Sequence, residues 1–231
     1  MRPKNRPSGR NAPTFIENAR RAQIIDAAIE VVAEFGYTGA SFVEIARHAR
    51  ITKSIISYHF EDKNDLLDQL VRRIYDEIWA FVEPRLTEQT TAAGRIRTYI
   101  ESEFAYIEGH RSQLLALGNV LLNHRDAKGR LRLKEEAQTT VVGLLSGIFE
   151  AGQKAGEFRA FSPTVMAVAV HHAINGALDR WAQDASIPLA DYARELSAIF
   201  DLATRRDSVS AAPKSALQRK APAAARGGVS P

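Results

Sequence analysis

The chain has no cysteine among its 231 residues. That excludes disulfides and thiolate-held metal sites and suits a reducing cytoplasm. It also lacks an apolar run fit to span a bilayer. The one long stretch without Asp, Glu, Lys or Arg runs through Phe161 to Leu178, and it carries Pro163, His171, His172 and Asn175. Those polar groups favour a buried or subunit-facing helix over a membrane span. The N-terminus is basic but without an apolar segment, so it does not read as a secretory signal. No stretch alternates like a strand, and no internal repeat occurs.

Enzyme signatures are missing as well. There is no G-x-S-x-G, Walker loop or G-x-G-x-x-G. His124-Arg125-Asp126 matches the catalytic tripeptide of protein kinases. The glycine-rich loop, strand lysine and downstream asparagine of those enzymes are absent, so the tripeptide reads as a solvated interhelical loop. His171 and His172 are adjacent, hence about 100° apart on a helix, and no H-E-x-x-H spacing surrounds them. A structural or pocket-lining role is expected for them, and neither a cofactor nor a metal.

What is present is unevenly placed charge. Arg2, Lys4, Arg6, Arg10, Arg20 and Arg21 oppose only Glu17 in residues 1–21, giving +5. Arg205, Arg206, Lys214, Arg219, Lys220 and Arg226 oppose only Asp207 in residues 205–231, again +5. Since the whole chain carries +4, the middle holds −6. Residues 1–15, with three prolines, and residues 207–231, rich in Ala, Pro and Ser, are expected to be a disordered basic arm and tail. Arg20 and Arg21 adjoin the first helix and can reach a DNA backbone or minor groove.

Between the ends the apolar residues recur at helical spacing. Ile25, Ala28, Ile29, Val32 and Phe35 form one stripe of a helix from about Asn18, stopped by Gly36. Leu66, Leu67, Leu70, Ile74 and Ile78 mark a helix from about Lys63 to Phe81. Ile96, Ile100, Phe104 and Ile107 mark another, ending near Gly109. Leu114 to Leu122 is a shorter one, followed by a polar loop from Asn123 to Gly129. Leu131 to about Gly156 is long and carries Val141, Val142, Leu144, Leu145, Ile148 and Phe149. Ser162-Pro163 opens a helix reaching about Asp184. The last runs from Leu189 to Thr204.

The most telling stretch is Ser41 to Lys63, SFVEIARHARITKSIISYHFEDK. Ser41 and Glu44 have capping-box spacing. Ile45, Ala46 and Ala49 give the first short helix its apolar face. Arg50-Ile51-Thr52 interrupts it, and Thr52 is placed to cap the second. In that second helix Ile56 and Phe60 point inward. Lys53, Ser54, Ser57, Tyr58 and His59 are left outward, a mixture of small polar, cationic and aromatic groups that a major groove accepts.

Phe35-Gly36-Tyr37, Ile45-Ala46, Ala49, Ile51-Thr52-Lys53-Ser54, Ile56, Tyr58-His59-Phe60, Lys63 and Leu66-Leu67 together resemble the helix-turn-helix of the tetracycline-repressor (TetR) family of bacterial transcription regulators. One position departs from the family pattern: Arg50 stands where glycine is usual. If that turn needs a positive φ, the departure costs on the order of 1 kcal/mol, and Arg50 can also help hold a phosphate.

The resemblance implies an all-α protein. A three-helix DNA-binding domain over residues 16–62 is joined to a larger ligand-binding and dimerisation domain over residues 63–206. It implies contacts to double-stranded DNA from Ser41, Arg50, Thr52, Lys53, Ser54, Ile55, Ser57, Tyr58, His59 and Lys63. Of these, Thr52, Lys53, Tyr58, His59 and Lys63 mainly grip phosphates, while Ser54, Ile55 and Ser57 face base edges. The helix N-terminus beside Lys63 favours its phosphate role. The resemblance further implies a homodimer through the last two helices on a palindromic operator. A small-molecule effector is implied in a cavity drawn from Trp79, Phe104, Tyr106, Leu115, Phe149, Met166, His171, Asn175 and Trp181. The alternative is a helical interaction protein that does not read DNA, favoured by the negative middle of the chain.

Overall fold

The computed structural model describes residues 15–126 and 128–206. The expected basic arm, apart from Phe15, and the tail from residue 207 lie outside the described residues. Within them are nine helices: α1 (Phe15–Gly39), α2 (Phe42–Ala49), α3 (Lys53–His59), α4 (Lys63–Thr87), α5 (Ala92–Glu108), α6 (Arg111–Asn123), α7 (Arg132–Lys154), α8 (Pro163–Gln183) and α9 (Leu189–Thr204). No strand accompanies them among the described residues, beyond an isolated antiparallel bridge between Phe158 and Arg205.

The expected stripe of α1 is buried at Ile25, Ala28, Ile29 and Val32, with Ile24 and Val31 beside it. Its last member is not: Phe35 is 42% exposed. The chain leaves the helix at the next residue, Gly36, with φ 72° and ψ 177°, a conformation open to glycine and strained for other residues. The stripe therefore ends a turn early.

Helix α4 overruns its expected end by six residues. Val82 and Leu86 extend the buried row of Ile74 and Ile78, and Pro84 is carried inside the helix. Proline deprives the Ala80 carbonyl of its bond. Ala80 is exposed, so water can serve that carbonyl while the apolar row holds the helix together.

Helix α5 is the central strut. Thr91 caps it by accepting from the Gly94 amide at 3.0 Å, and it packs against α4, α6, α7, α8 and α9. Its crossing with α7 needs a glycine. A Cβ on Gly152 would stand 2.7 Å from the Ala92 Cβ and 2.4 Å from the Phe158 ring. Helix α1 rests along α6 and α4, so the first three helices, called the head below, share one continuous apolar core with the rest, the body. Among the described residues no helix is long and apolar enough to cross a membrane.

Candidate nucleic-acid interface

Ser41 caps α2 as its spacing predicts, accepting from the Glu44 amide at 3.2 Å. The return arm of the capping box is missing, because the Glu44 carboxylate takes Arg47 instead, with Nε at 3.0 Å. At the far end Arg50 is left-handed, φ 55° and ψ 44°. The Ile51 amide donates to the Ala46 carbonyl at 3.0 Å and the Arg50 amide to Arg47 at 3.2 Å. This is a Schellman turn with arginine in the place that favours glycine.

Thr52 does not cap α3 through its side chain, contrary to expectation. Its hydroxyl lies 2.7 Å from the Ser54 hydroxyl, and that pairing takes it out of reach of the helix amides. Ile56 and Phe60, both essentially fully buried, anchor α3 from below. Arg21 clamps it from the side. Its guanidinium donates to the His59 carbonyl and, at 2.6 Å, to Gln69, and lies over the Phe60 ring. Arg21 is thus a structural fastener, not a free DNA contact. Arg20 differs: it lines a surface cleft with Ile16, Glu17, Ser54, Ile55, Tyr58 and His59.

The outer face of α3 holds what its sequence promises. Thr52, Lys53, Ser54 and Ser57 are exposed and Tyr58 is 76% exposed, while Ile55 and His59 are half-buried. Tyr58 meets the His59 ring edge-on at 5.0 Å. Burial, then the nearby Arg21 charge, holds the His59 imidazole below its ordinary value. That favours the neutral ring in the free protein, which can donate a hydrogen bond to a phosphate.

Lys63 is engaged differently from the expectation. Its ammonium donates to the Tyr37 carbonyl and sits 4.6 Å from the centre of the Tyr37 ring. The helix N-terminus beside it already carries a side-chain cap. Asp62 accepts from the Asp65 amide at 2.9 Å, and Asp65 accepts from the Glu61 amide at 3.1 Å. Two of the three Lys63 N–H groups remain for a phosphate.

With this geometry in place, comparison with known proteins is informative. Residues 24–70 match the family model described as bacterial regulatory proteins, tetR family. The fatty acid metabolism regulator protein of Bacillus subtilis is 29% identical over 138 residues, covering 59% of this chain and 70% of that protein. The regulator BetI of Pectobacterium carotovorum is 36% identical over 87 residues, which span 37% of this chain and only 45% of BetI. The crystal structure of B. subtilis FadR in complex with stearoyl-CoA superposes with TM-score 0.69 at 23% identity, over 78% of this chain and 96% of that one. A putative TetR-family regulator from Rhodococcus gives TM-score 0.67 at 22% identity, over 80% of this chain and 98% of that one.

Residues 24–70 belong to the tetR family of bacterial regulatory proteins. The chain is a DNA-binding transcriptional regulator, and the family match covers the head from Ile24 onward and the first part of α4.

The body of the chain rearranges the expected cavity residues. Phe104 and Phe149 are buried core, Phe149 packed against Phe158 and Phe161. Trp79 is 40% exposed. Tyr106 is spent on a network: its hydroxyl lies 2.7 Å from Gln113 and 3.3 Å from Glu77. Met166, His171 and Asn175 are half-buried along α8, where Asn175 meets the His171 ring at 3.0 Å. Burial holds His171 below its ordinary value, with the neighbouring His172 adding to this. Trp181 is buried with Arg111 above it. The clefts nearest the head are not lined by any of these residues. Among the described residues no three His, Asp or Glu side chains gather as metal ligands.

Two polar bridges between head and body were missed by sequence reasoning. Arg73 on α4 donates to the Ala22 carbonyl at 3.1 Å, pairs with Asp26 at 2.8 Å and holds Glu77 at 2.8 Å. Burial opposes ionisation of Glu77, but bonds from Arg73, Gln113 and Tyr106 hold its carboxyl below the usual range. The second bridge is His124, which is buried and not part of a solvated loop. Its Nε2 lies 3.0 Å from Asp68 on α4, and its Nδ1 lies 3.3 Å from the Tyr37 hydroxyl. No local spacing announces either bridge, because the partners come from distant parts of the chain.

Proposed function

We propose that two copies of this chain bind a palindromic operator, repress transcription there, and release it when a small molecule enters the body. The observation that carries this reading is the outer face of α3. Lys53, Ser54, Ser57 and Tyr58 are exposed on a helix whose inner side is fixed by Ile56 and Phe60. Such a helix keeps its contact groups in register with base edges and phosphates. In this reading Ser54, Ile55 and Ser57 meet base edges. Ser41, Arg50, Thr52, Lys53, Tyr58, His59 and Lys63 meet the backbone. The DNA-binding domain is residues 16–62, the effector and dimer domain is residues 63–206, and the protein works in the cytoplasm.

Dimerisation is supported by surface left on the last two helices. Val165, Ala169, His172 and Gly176 are exposed at helical spacing on α8, and Ile199 and Leu202 on α9. Apolar rows of this kind suit a two-fold interface, in which each copy offers the same patch. Effector control is supported by the B. subtilis relative, whose solved complex contains stearoyl-CoA. A ligand acts only if it binds the DNA-competent and DNA-released arrangements with different affinity. The Arg73 and His124 bridges are contacts such a preference can change.

Selection of genomic fragments by the purified chain at physiological salt, followed by sequencing, tests the reading. An inverted repeat is expected. Its affinity should fall steeply with salt and be lost in Tyr58→Ala, while the Tyr58→Ala chain stays dimeric. Failure to enrich any sequence with α3 shown to be folded would replace the regulator with a helical interaction protein.

A further inference from the structure

The start of α1 and the outer face of α3 border one cleft of about 370 Å³. One wall is α1, with Ile16 and Arg20 a turn apart. The other is α3, with Ser54, Ile55 and Tyr58. Ile16 is 77% exposed and Tyr58 76% exposed, while Ile55 is half-buried and packed against the core. Two isoleucines and an aromatic ring, from two helices, thus share one open cleft. It is continuous with the outer face of α3, through Ser54. The family match begins at Ile24, so the α1 wall lies outside the part of the chain that matches the family.

A single exposed isoleucine is ordinary, whereas two with a tyrosine ring around one cleft make an apolar contact surface. On a DNA-binding face its partner is an apolar group of the DNA. Base edges in the major groove offer one, the C5-methyl group of thymine. Deoxyribose carbons are the other source, but they come with the phosphate backbone. The α1 wall does not favour a backbone strand. Glu17 and Arg20 line it with opposite charges, and Arg20 donates to Gln23 at 2.5 Å. That wall therefore has no surplus positive charge to draw a phosphate into the cleft.

We infer that the cleft receives a thymine methyl of the operator in each half-site, and that Ile16 and Ile55 determine specificity there. This rests on the reading of the chain as an operator-binding regulator. At the same edge cytosine presents an amino group, and adenine and guanine present only polar atoms. Thymine alone matches the two isoleucines. Enclosing one methyl is worth about fourfold in affinity per half-site.

The operator recovered by fragment selection is resynthesised with each thymine replaced in turn by deoxyuridine, at symmetric positions of both half-sites. That change removes the methyl and keeps the base pair. Binding of the full chain is measured by fluorescence anisotropy at fixed salt. One position should lose about fifteenfold, the product of about fourfold from each half-site. In Ile16→Ala the loss at that position should fall below about fourfold, while the other thymines behave as in the wild type. Ile16 is exposed and alanine favours a helix, so α1 stays formed, which circular dichroism checks. Ile55→Ala should act at the same position. A loss unchanged in Ile16→Ala would overturn the inference, and a uniform weakening of that variant on every operator would assign Ile16 to deoxyribose instead. An operator without thymine in its half-sites, or one insensitive to every replacement, would overturn it too. No enriched repeat at all sinks the regulator reading as well, whereas an operator bound normally without this coupling sinks only the thymine site.

Discussion

Arg50 holds its turn in a backbone region where L-residues are strained by about 1–2 kcal/mol. Glycine at that position relieves the strain but frees the unfolded chain, so the net gain is smaller. Arg50→Gly is expected to stabilise the protein by about 1 kcal/mol, raising the melting temperature by about 2–4 °C. Urea unfolding measures the first quantity and calorimetry the second. An unchanged or lowered midpoint would mean that Arg50 earns its place through contacts of its side chain. Salt titration of operator binding decides its second role, since loss of one phosphate contact lowers the log–log slope by about 1. Glu103 gives a prediction of the same scale. Its carboxyl ordinarily titrates at 4.5 but reaches about 7 in the fold, through burial. Between those values the folded chain holds a proton that the unfolded chain has released, so stability falls as pH rises through this window and levels off above it. Tyr75 and Tyr99 are both pushed upward by burial and stay neutral throughout. Glu103→Gln should flatten that part of the profile and stabilise the protein at about pH 8 more than at about pH 5. Urea midpoints at the two pH values that shift equally would contradict it.

Among the elements, α6 matters most for how head and body communicate. It lies along α1, and just past its end His124 reaches both Tyr37, at the start of the turn into α2, and Asp68 on α4. Lys63 in turn sits on Tyr37. One imidazole therefore links the end of α6 to two segments that position α3. Removing it takes one contact each from the half-buried Asp68 carboxylate and the Tyr37 hydroxyl. His124→Ala is expected to cost about 2 kcal/mol in thermal or urea unfolding. The same substitution should weaken the effect of an effector on operator binding more than it weakens operator binding itself. An unchanged unfolding midpoint would show that the bridge is not a stabilising contact. The contrast with α8 shows what a sequence discloses. Ser162 and Pro163 set the start of α8 by local chemistry, and the Ser162 hydroxyl does accept from Val165 at 3.4 Å. Ile56 and Phe60 were legible because they are four apart on one short helix. His124 was not, because its partners lie 56 and 87 residues away and nothing within a polar loop marks a buried ring. The end of α4 lay beyond the expected Phe81 because the packing of Val82 and Leu86 carries the helix through Pro84. The outward residues of α3 were legible as a pattern, whereas Arg21 and Lys63 were seen only as charges until their partners across the fold were known.

At the scale of the whole molecule, one short helix is too small to find a specific site alone. Seven residues of α3 extend only about 10 Å, enough for a few base pairs. Two copies placed about 34 Å apart read both halves of a palindrome, and binding of the second half becomes intramolecular. The residues available for that pairing include Ile199 and Leu202, which are 52% and 58% exposed, and Val165 at 67%. A charge there costs the isolated chain little, because the position is already in water. In a two-fold interface it is repeated, so each acid is desolvated near its mate. Leu202→Glu is therefore expected to give a folded monomer by sedimentation, with its helical signal and melting behaviour close to those of an isolated subunit. Operator affinity should drop by about 10²–10⁴, the contribution that linking two recognition helices makes without any new DNA contact. The basic ends, +5 in residues 1–21 and +5 in residues 205–231, stay on the monomer and preserve its weak, salt-sensitive attraction to any DNA. The variant should thus lose specificity before it loses non-specific binding. A Leu202→Glu chain that remains dimeric and binds its operator normally would move the two-fold interface away from α9.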